Sequence, residues 1–463
     1  MDIKGLQNKS VGILGFGQEG QAIAEYLVKS GLNPVVYDAK KLDEWSSLNL
    51  AKLHSLGLQA VTGEDYLQHA IDSQEIIFRS PGIRLPDKQQ QLAISKNITI
   101  TSQTQWFFEH CPAKIIGVTG TKGKGTTSSL IYEILSAADL QSKVYLTGNI
   151  GKIQPLEFLS DLTPEDWVVY ELSSFQLQDL KQSPHIGVCL MVTSDHLDYH
   201  SDLNEYHTAK SAISAFQNEE DICIYNADYE ATKKIGELGS GQKWKISKLQ
   251  PVQNGAWINE KSEEIQISGT SEHPLIISGS KRLLRGNHNL ENIAAASLVA
   301  AILQIPDEII KKTVNEFPGL KHRLQFVTEK KGVKYYNDSI STIPETAIAA
   351  VKAFPEESIV LILGGSEKNL DYSELATVIG KSKNIKAVVT MGPVGKRVQP
   401  LLISNNFSGN IQGPFSDFNQ VMQAVNRVSE TGDIVILSPA APSFDMFEGY
   451  AFRGDEFIKQ VTQ

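Results

Sequence analysis

A single stretch constrains this chain more than any other. An apolar run at 115–118 leads into Gly117-Val118-Thr119-Gly120-Thr121-Lys122-Gly123-Lys124-Gly125-Thr126-Thr127, and the amphipathic run SSLIYEILSAA follows at once. Strand, glycine-rich loop, lysine, hydroxyl residues and helix, in that order, make a cradle of backbone N–H groups suited to phosphate. Lys124 can neutralise phosphate charge, and a threonine hydroxyl can face Mg²⁺. The spacing departs from plain GxxxxGK[ST]. Gly117 sits one residue too far from Gly123, and Gly125 takes the usual Ser/Thr position. A loop whose glycines only turn the chain is the competing reading, and the strand–loop–helix context weighs against it. The expectation is an ATP-binding segment.

The rest of the chain has the pattern of such a fold. Short β-branched runs at 11–14, 34–37, 75–78, 115–118, 167–170, 187–192, 359–363, 387–391 and 434–437 alternate with amphipathic stretches. That alternation implies α/β units with largely parallel sheets. Several runs end in Gly, Ser, Thr or Asp, where open α/β sheets place ligand-binding turns. A length of 463 residues suggests about three domains. Breaks near Pro112 and Pro318 divide the chain into 1–111, 112–318 and 319–463.

Composition narrows the partners. The net charge is -10, from 43 basic and 53 acidic residues, which argues against broad capture of nucleic acid. An anionic ligand must then be held by local basic groups and backbone N–H groups. Cys111, Cys189 and Cys223 lie far apart without CxxC spacing, so isolated reduced thiols are expected rather than a zinc site or disulfide framework. The polar opening MDIKGLQNKS lacks a signal-peptide core, and no apolar run is long enough for a membrane span. The alanine-rich run at 293–303 reads as a buried helix, and a cytoplasmic location is expected.

A second glycine turn, Gly15-Phe16-Gly17-Gln18-Glu19-Gly20, follows the first strand, with Asp38 at the end of the next. Alone it suggests a dinucleotide-binding dehydrogenase. The same turn serves any pyrophosphate resting on a helix N-terminus, so it does not decide the function.

Further motifs follow in order: Gly148-Asn149-Ile150-Gly151, Glu171-Leu172-Ser173-Ser174-Phe175-Gln176, Ser194-Asp195-His196-Leu197-Asp198 and Tyr206-His207-Thr208-Ala209-Lys210. Then come Gly286 with Asn289 and Asn292, Gly319-Leu320-Lys321-His322-Arg323, Asn337-Asp338-Ser339, Gly364-Gly365-Ser366-Glu367-Lys368 and LSPAAPSFDMF at 437–447. Together with the phosphate loop they resemble the Mur ligases over nearly the whole chain. ELSSFQL, the first glycine turn with Ser80-Pro81-Gly82, and the closing LSPA segment resemble the glutamate-adding branch. The resemblance implies a Rossmann-like N-terminal domain for a UDP group, a P-loop central domain for ATP, and a Rossmann-like C-terminal domain for the amino acid.

It also implies an ATP-dependent ligase that joins glutamate to UDP-N-acetylmuramoyl-L-alanine in peptidoglycan precursor synthesis. ATP would phosphorylate the L-alanyl carboxylate, and the glutamate amine would attack the acyl phosphate. By the same resemblance Gly120 to Thr127, Asn289, Asn292, Arg323 and Asp338 border ATP. Lys124, His196, Lys210 and Arg323 serve the chemistry. Thr126, Glu171, His196 and a carbamylated Lys210 serve two Mg²⁺ ions. Gly17, Gln18 and Glu19 through backbone, Asp38, Ser80, Gly82 and Asn149 face the UDP substrate. Thr342, Lys368, Ser443 and Tyr450 border the amino acid. A monomer is implied, and domain closure about hinges near Pro112 and Pro318–Gly319.

One departure stands out. The family motif D-S-K-A-T-N appears here as Asp338-Ser339-Ile340-Ser341-Thr342-Ile343, so isoleucine replaces a lysine beside the amino acid. A cation binds carboxylate and isoleucine does not. D-glutamate held differently is the favoured expectation, with L-glutamate or another amino acid as alternatives. A folylpolyglutamate synthetase shares the ATPase and C-terminal design but lacks this N-terminal domain.

Overall fold

The structure, a computed structural model, describes the chain apart from residues 1, 2, 152, 194–198, 200, 201 and 279–281 and the side chain of His288. His196, with Asp195 and Asp198, therefore lies outside the described residues. Two compact units emerge: 1–259 with 265–276 and 292–310, and 260–264 with 277–291 and 311–463.

The first unit opens with a parallel sheet in the order Ala60–Thr62, Val35–Asp38, Val11–Leu14, Ile76–Arg79, Thr99–Thr101. The first strand sits at the centre and the chain winds outward to either side. That doubly wound order puts the Gly15–Gly20 turn at the point where the winding reverses, where such sheets bind ligands. The helix Gln18–Lys29 starts directly from that turn.

A nine-stranded sheet follows, whose parallel centre runs Ile222–Asn226, Ile186–Cys189, Lys114–Thr119, Trp167–Glu171, Val144–Gly148. These strands are continuously apolar because helices cover both faces. One hydrophobic core joins the two sheets, from Ile13 and Phe78 through Phe107 to Ile115, Val168 and Tyr170. The alanine-rich run is buried in the helix His288–Ile302, as its composition implies.

The run expected as a strand over 187–192 stops pairing earlier, at Ile186–Cys189. Beyond it Leu190 N donates to Thr119 O at 2.9 Å and Met191 O accepts from Thr121 N at 2.7 Å, and only then do side-chain hydroxyls take over: Val192 N donates to Thr232 Oγ1 at 3.1 Å and Thr193 N to Thr121 Oγ1 at 2.9 Å. The extended segment is thus tied to the end of the neighbouring strand and, through Met191 and Thr193, to Thr121 of the phosphate loop.

The second unit holds a six-stranded sheet ordered Gln325–Lys330, Val333–Asn337, Asp433–Leu437, Ser358–Gly364, Ile385–Met391, Asn410–Phe415. Only the first pair is antiparallel. Ser358–Gly364 shows why the centre is parallel: Ile359, Leu361 and Leu363 enter one core, and Val360 and Ile362 the other. Asn337 and Ile362 both pair with Leu437, so three adjacent strands end side by side at one edge.

All three cysteines are free thiols. Burial pushes Cys111 up to about 11 and Cys223 up to about 12, which leaves both inert near neutrality.

Candidate functional site

The phosphate loop begins where Lys114–Thr119 leaves the sheet and ends at Lys124, the first residue of the helix Lys124–Ala137. Gly123 caps that helix in a left-handed conformation at φ 87°, and a Cβ there would collide with Asn292 Oδ1. The position needs glycine for both reasons. The same Asn292 oxygen accepts from Thr127 Oγ1 at 3.3 Å, so the loop is clamped onto the helix His288–Ile302. Lys124 Nζ folds back on the carbonyls of Gly120 and Thr121 at 3.0 and 3.3 Å. Thr126 and Thr127 are buried in the first turn, Gly125 is half-buried, and Lys122 is exposed.

Three other expected residues meet this loop or its edge of the sheet. Glu171 ends its strand between Val118 and Gly148, on the edge from which the loop departs. Asn149 is exposed one residue beyond Gly148. Lys210 lies on the helix Leu203–Ser211 and is 1% exposed. Its Nζ donates to Thr119 Oγ1 and Gly120 O, both at 3.2 Å, and lies 4.9 Å from the centre of the Tyr206 ring. A lysine on a helix reads as solvated by default. Here it is buried against the phosphate loop.

These groups fit ATP and Mg²⁺. Mg²⁺ needs only one or two protein oxygens beside phosphates and waters. Glu171 and Thr126 supply those types, and the described residues hold no cluster of three His, Cys, Asp or Glu.

At the first glycine turn, Asp38 Oδ2 accepts from Phe16 N at 3.1 Å, and Oδ1 from Lys40 N at 2.9 Å. Gly17, Gln18 and Gly82 are exposed, and Ser80 Oγ donates to Gly15 O at 3.3 Å. The side chain of Glu19 carries information that the sequence did not reveal. Its Oε1 accepts from Gln176 Nε2 at 2.8 Å, while Oε2 is sealed from solvent without a partner. Burial pushes its carboxyl up to about 7, against the lowering effects of Gln176 and Arg79. Arg79, itself buried, pairs with Asp179. Gln176 sits within the quoted ELSSFQL motif, and that was the only available signal.

In the second unit, Asp338 follows Val333–Asn337 and is buried. Its oxygens accept from Leu324 N at 3.0 Å and Ser438 Oγ at 2.7 Å. Burial pushes it up to about 6, opposed by these bonds and by Arg323. Arg323 is exposed, and Asn289 Nδ2 donates to Arg285 O at 2.6 Å. Thr342 and Ile340 are half-buried, Lys368 is exposed, and Tyr450 is 43% exposed. Ser443 is buried, and its Oγ has no hydrogen-bond partner among the described residues. His322 belongs to the motif Gly319-Leu320-Lys321-His322-Arg323. It is buried, and Asn337 Nδ2 lies 3.0 Å from its Nδ1.

Comparison with known proteins agrees with this geometry. Residues 9–102 match the MurD-like N-terminal domain of Mur ligases, 118–300 the Mur ligase middle domain, and 322–441 the Mur ligase glutamate ligase domain. A protein of Clostridium kluyveri named UDP-N-acetylmuramoylalanine–D-glutamate ligase is 36% identical, covering 98% of this chain and 96% of that one. The namesake from Ruminiclostridium cellulolyticum is 34% identical over 99% and 97%. Among solved structures, the D-alanyl-D-alanyl-adding ligase of Acinetobacter baumannii superposes with a TM-score of 0.58 at 16% identity, covering 94% and 90% of the two chains. A MurF ligase of Thermotoga maritima in complex with ADP gives 0.54 at 17%, covering 100% and 97%; at such identities both support the fold alone. On these grounds the chain belongs to the Mur ligase family and is an ATP-dependent ligase.

Proposed function

We propose that this enzyme joins D-glutamate to UDP-N-acetylmuramoyl-L-alanine, forming an amide driven by ATP, in peptidoglycan precursor synthesis. The observation that carries this reading is similarity along the whole chain to enzymes bearing that name, including a MurD-like N-terminal segment. That segment separates the chain from folylpolyglutamate synthetases. On this reading the first glycine turn is a UDP-pyrophosphate site rather than an NAD site.

On this reading 1–111 holds the UDP substrate, 112–318 holds ATP, and 319–463 holds the amino acid. The L-alanyl carboxylate attacks the γ-phosphorus, ADP leaves, and the glutamate amine displaces phosphate from the acyl phosphate. Phosphoryl transfer rests mainly on positioning and charge neutralisation. The backbone of Gly120 to Thr127 orients the phosphates while Lys124 offsets their charge. Arg323 stabilises the transferring group. Thr126, Glu171 and His196, with Lys210 after carbamylation, hold two Mg²⁺ ions. Those ions supply charge neutralisation at the phosphates. Asn289, Asn292 and Asp338 flank the nucleotide, and Asn149 the alanyl end. Thr342, Lys368, Ser443 and Tyr450 border the glutamate. The enzyme works as a cytoplasmic monomer; no described helix is long and apolar enough to cross a membrane.

Ile340 supports a second reading, in which L-glutamate is the substrate. Phosphate release with ATP, Mg²⁺ and UDP-N-acetylmuramoyl-L-alanine, comparing D- and L-glutamate and weighing the product by mass spectrometry, separates the two. Turnover with D-glutamate is expected. Turnover with L-glutamate alone would establish the second reading, and turnover with neither would overturn both.

A further inference from the structure

The helix Tyr450–Thr462 carries an arginine that the reaction as described does not use. Arg453 is 0% exposed and heads the largest fully buried side chains of the protein. Its Nε donates to Ser339 Oγ at 2.9 Å, Nη2 to Ser339 O at 2.8 Å, and Nη1 to Pro442 O at 3.2 Å. Every one of these acceptors is neutral. Among the described residues no carboxylate forms an ion pair with it. Asp445, an exposed residue, is the anion whose field it feels. Burial draws the guanidinium down to about 10, so it stays charged at neutral pH.

A buried charge that forms no ion pair among the described residues is costly, and an apolar or neutral residue would pack there at lower cost. The surroundings suggest what the charge is for. Ser339 belongs to the turn after Val333–Asn337, and its Oγ donates to Tyr450 O at 2.8 Å. Pro442 O also accepts from Ser366 N at 2.9 Å, which brings in the turn after Ser358–Gly364. Gly365 approaches so closely that a Cβ would collide with Pro442 O and lie 3.2 Å from Arg453 Nη1. Next to Pro442 stands Ser443, buried with an unsatisfied hydroxyl. Turns from three adjacent strand ends thus converge on one guanidinium. The residue beside Ser339 is Ile340, at the position where the family has a cation.

We propose that Arg453 is a positioning residue of the amino-acid site, which holds the Ser339 and Pro442–Ser443 turns together and supplies the positive charge that Ile340 lacks. The incoming α-amino dicarboxylate then adds a carboxylate to the field of Asp445 as a second counterion for Arg453. This rests on the assignment of the amino-acid site to Thr342, Lys368, Ser443 and Tyr450.

Steady-state kinetics with all three substrates test it, using R453Q, which keeps a hydrogen-bonding side chain without the charge. The KM for glutamate should rise about tenfold or more, while those for ATP and the UDP substrate stay within about twofold. Adding I340K to R453Q should recover much of the glutamate KM, because it restores a cation at the family position. Were R453Q not to fold, R453K keeps the charge and loses the fork, and should raise the glutamate KM by less than about tenfold. An unchanged glutamate KM in R453Q, an equal rise in all three KM values, or no recovery with I340K would overturn the proposal. So would a rise above about tenfold in R453K. S443A and K368M serve as controls: if neither shifts the glutamate KM, the amino-acid site is misassigned and the proposal falls with it. If both shift it and R453Q does not, Arg453 alone is wrong.

Discussion

The phosphate loop and the turn at Asp338–Thr342 each follow the C-terminal end of a strand that pairs in parallel with a neighbour, yet they are built on different principles. The loop is local. Its glycines, Lys124, Thr126 and Thr127 come from eleven consecutive positions, and Asn292, Lys210 and Thr193 brace that ready-made shape from a distance. The Asp338 turn is assembled from afar: Leu324, Ser438, Pro442 and Arg453 hold it, and Arg453 lies 114 residues from Ser339. A site defined by backbone shape cannot easily lose one residue, whereas a site assembled from distant side chains can exchange one cation for another. That is why the loop keeps its lysine and the turn can hold Ile340.

The largest effect should come from the loop itself. Lys124→Ala removes the side-chain charge that folds back on the loop's own carbonyls, and phosphate release should fall at least about 10²-fold; near-normal rates would break the comparison at its firmer end. Lys210→Arg is expected to act next. It keeps a cation beside Thr119 and Gly120 but cannot be carbamylated, so the chemical step should slow by at least about tenfold while folding, followed by circular dichroism, is retained. Full activity in that variant would remove Lys210 from the metal site.

Glu19→Gln sharpens the contrast through pH. The carboxyl has a folded value of about 7 against an ordinary value of 4.5. Between those values the folded chain holds a proton that the unfolded chain has released, so stability falls as pH rises across that window. Below 4.5 the contribution is fully present, and above 7 it is gone. The amide oxygen introduced by this change can still accept from Gln176, so the variant should match the wild type near pH 4.5 and exceed it at about pH 8 by on the order of 2 kcal/mol. Chemical denaturation at the two pH values measures this; a variant equally or less stable at the higher pH would contradict it. The smallest effect belongs to Thr127→Val, which leaves Asn292 Oδ1 without its hydroxyl donor. It should cost about 1–2 kcal/mol of stability and raise the KM for ATP only slightly.

Much of this design was legible in the sequence. Each of the nine apolar runs overlaps a strand, because central parallel strands are continuously hydrophobic. Gln242–Ser247, Glu264–Ser268 and Asn410–Phe415 lie outside those runs: the first mixes buried and exposed positions, the second alternates buried with half-buried ones, and the last has no buried position and contains Gly413-Pro414. In the site, motif order marked the loop, Glu171, Lys210 and Asp338. It gave no hint of the Glu19–Gln176 bond, which spans 157 residues. Nor did it mark Arg453, since an arginine in an amphipathic helix has the signature of a solvated face. Only the turns packed over it make it a core residue.

The central claim is that carboxylate activation by ATP precedes amide formation. Supplying UDP-N-acetylmuramoyl-L-alanine labelled with oxygen-18 in the alanyl carboxylate tests it most directly, with mass analysis of the phosphate released during ligation. The account predicts that the phosphate carries one labelled oxygen, taken from the carboxylate when the amine displaces it. Unlabelled phosphate accompanying a correctly formed amide would contradict an acyl phosphate route.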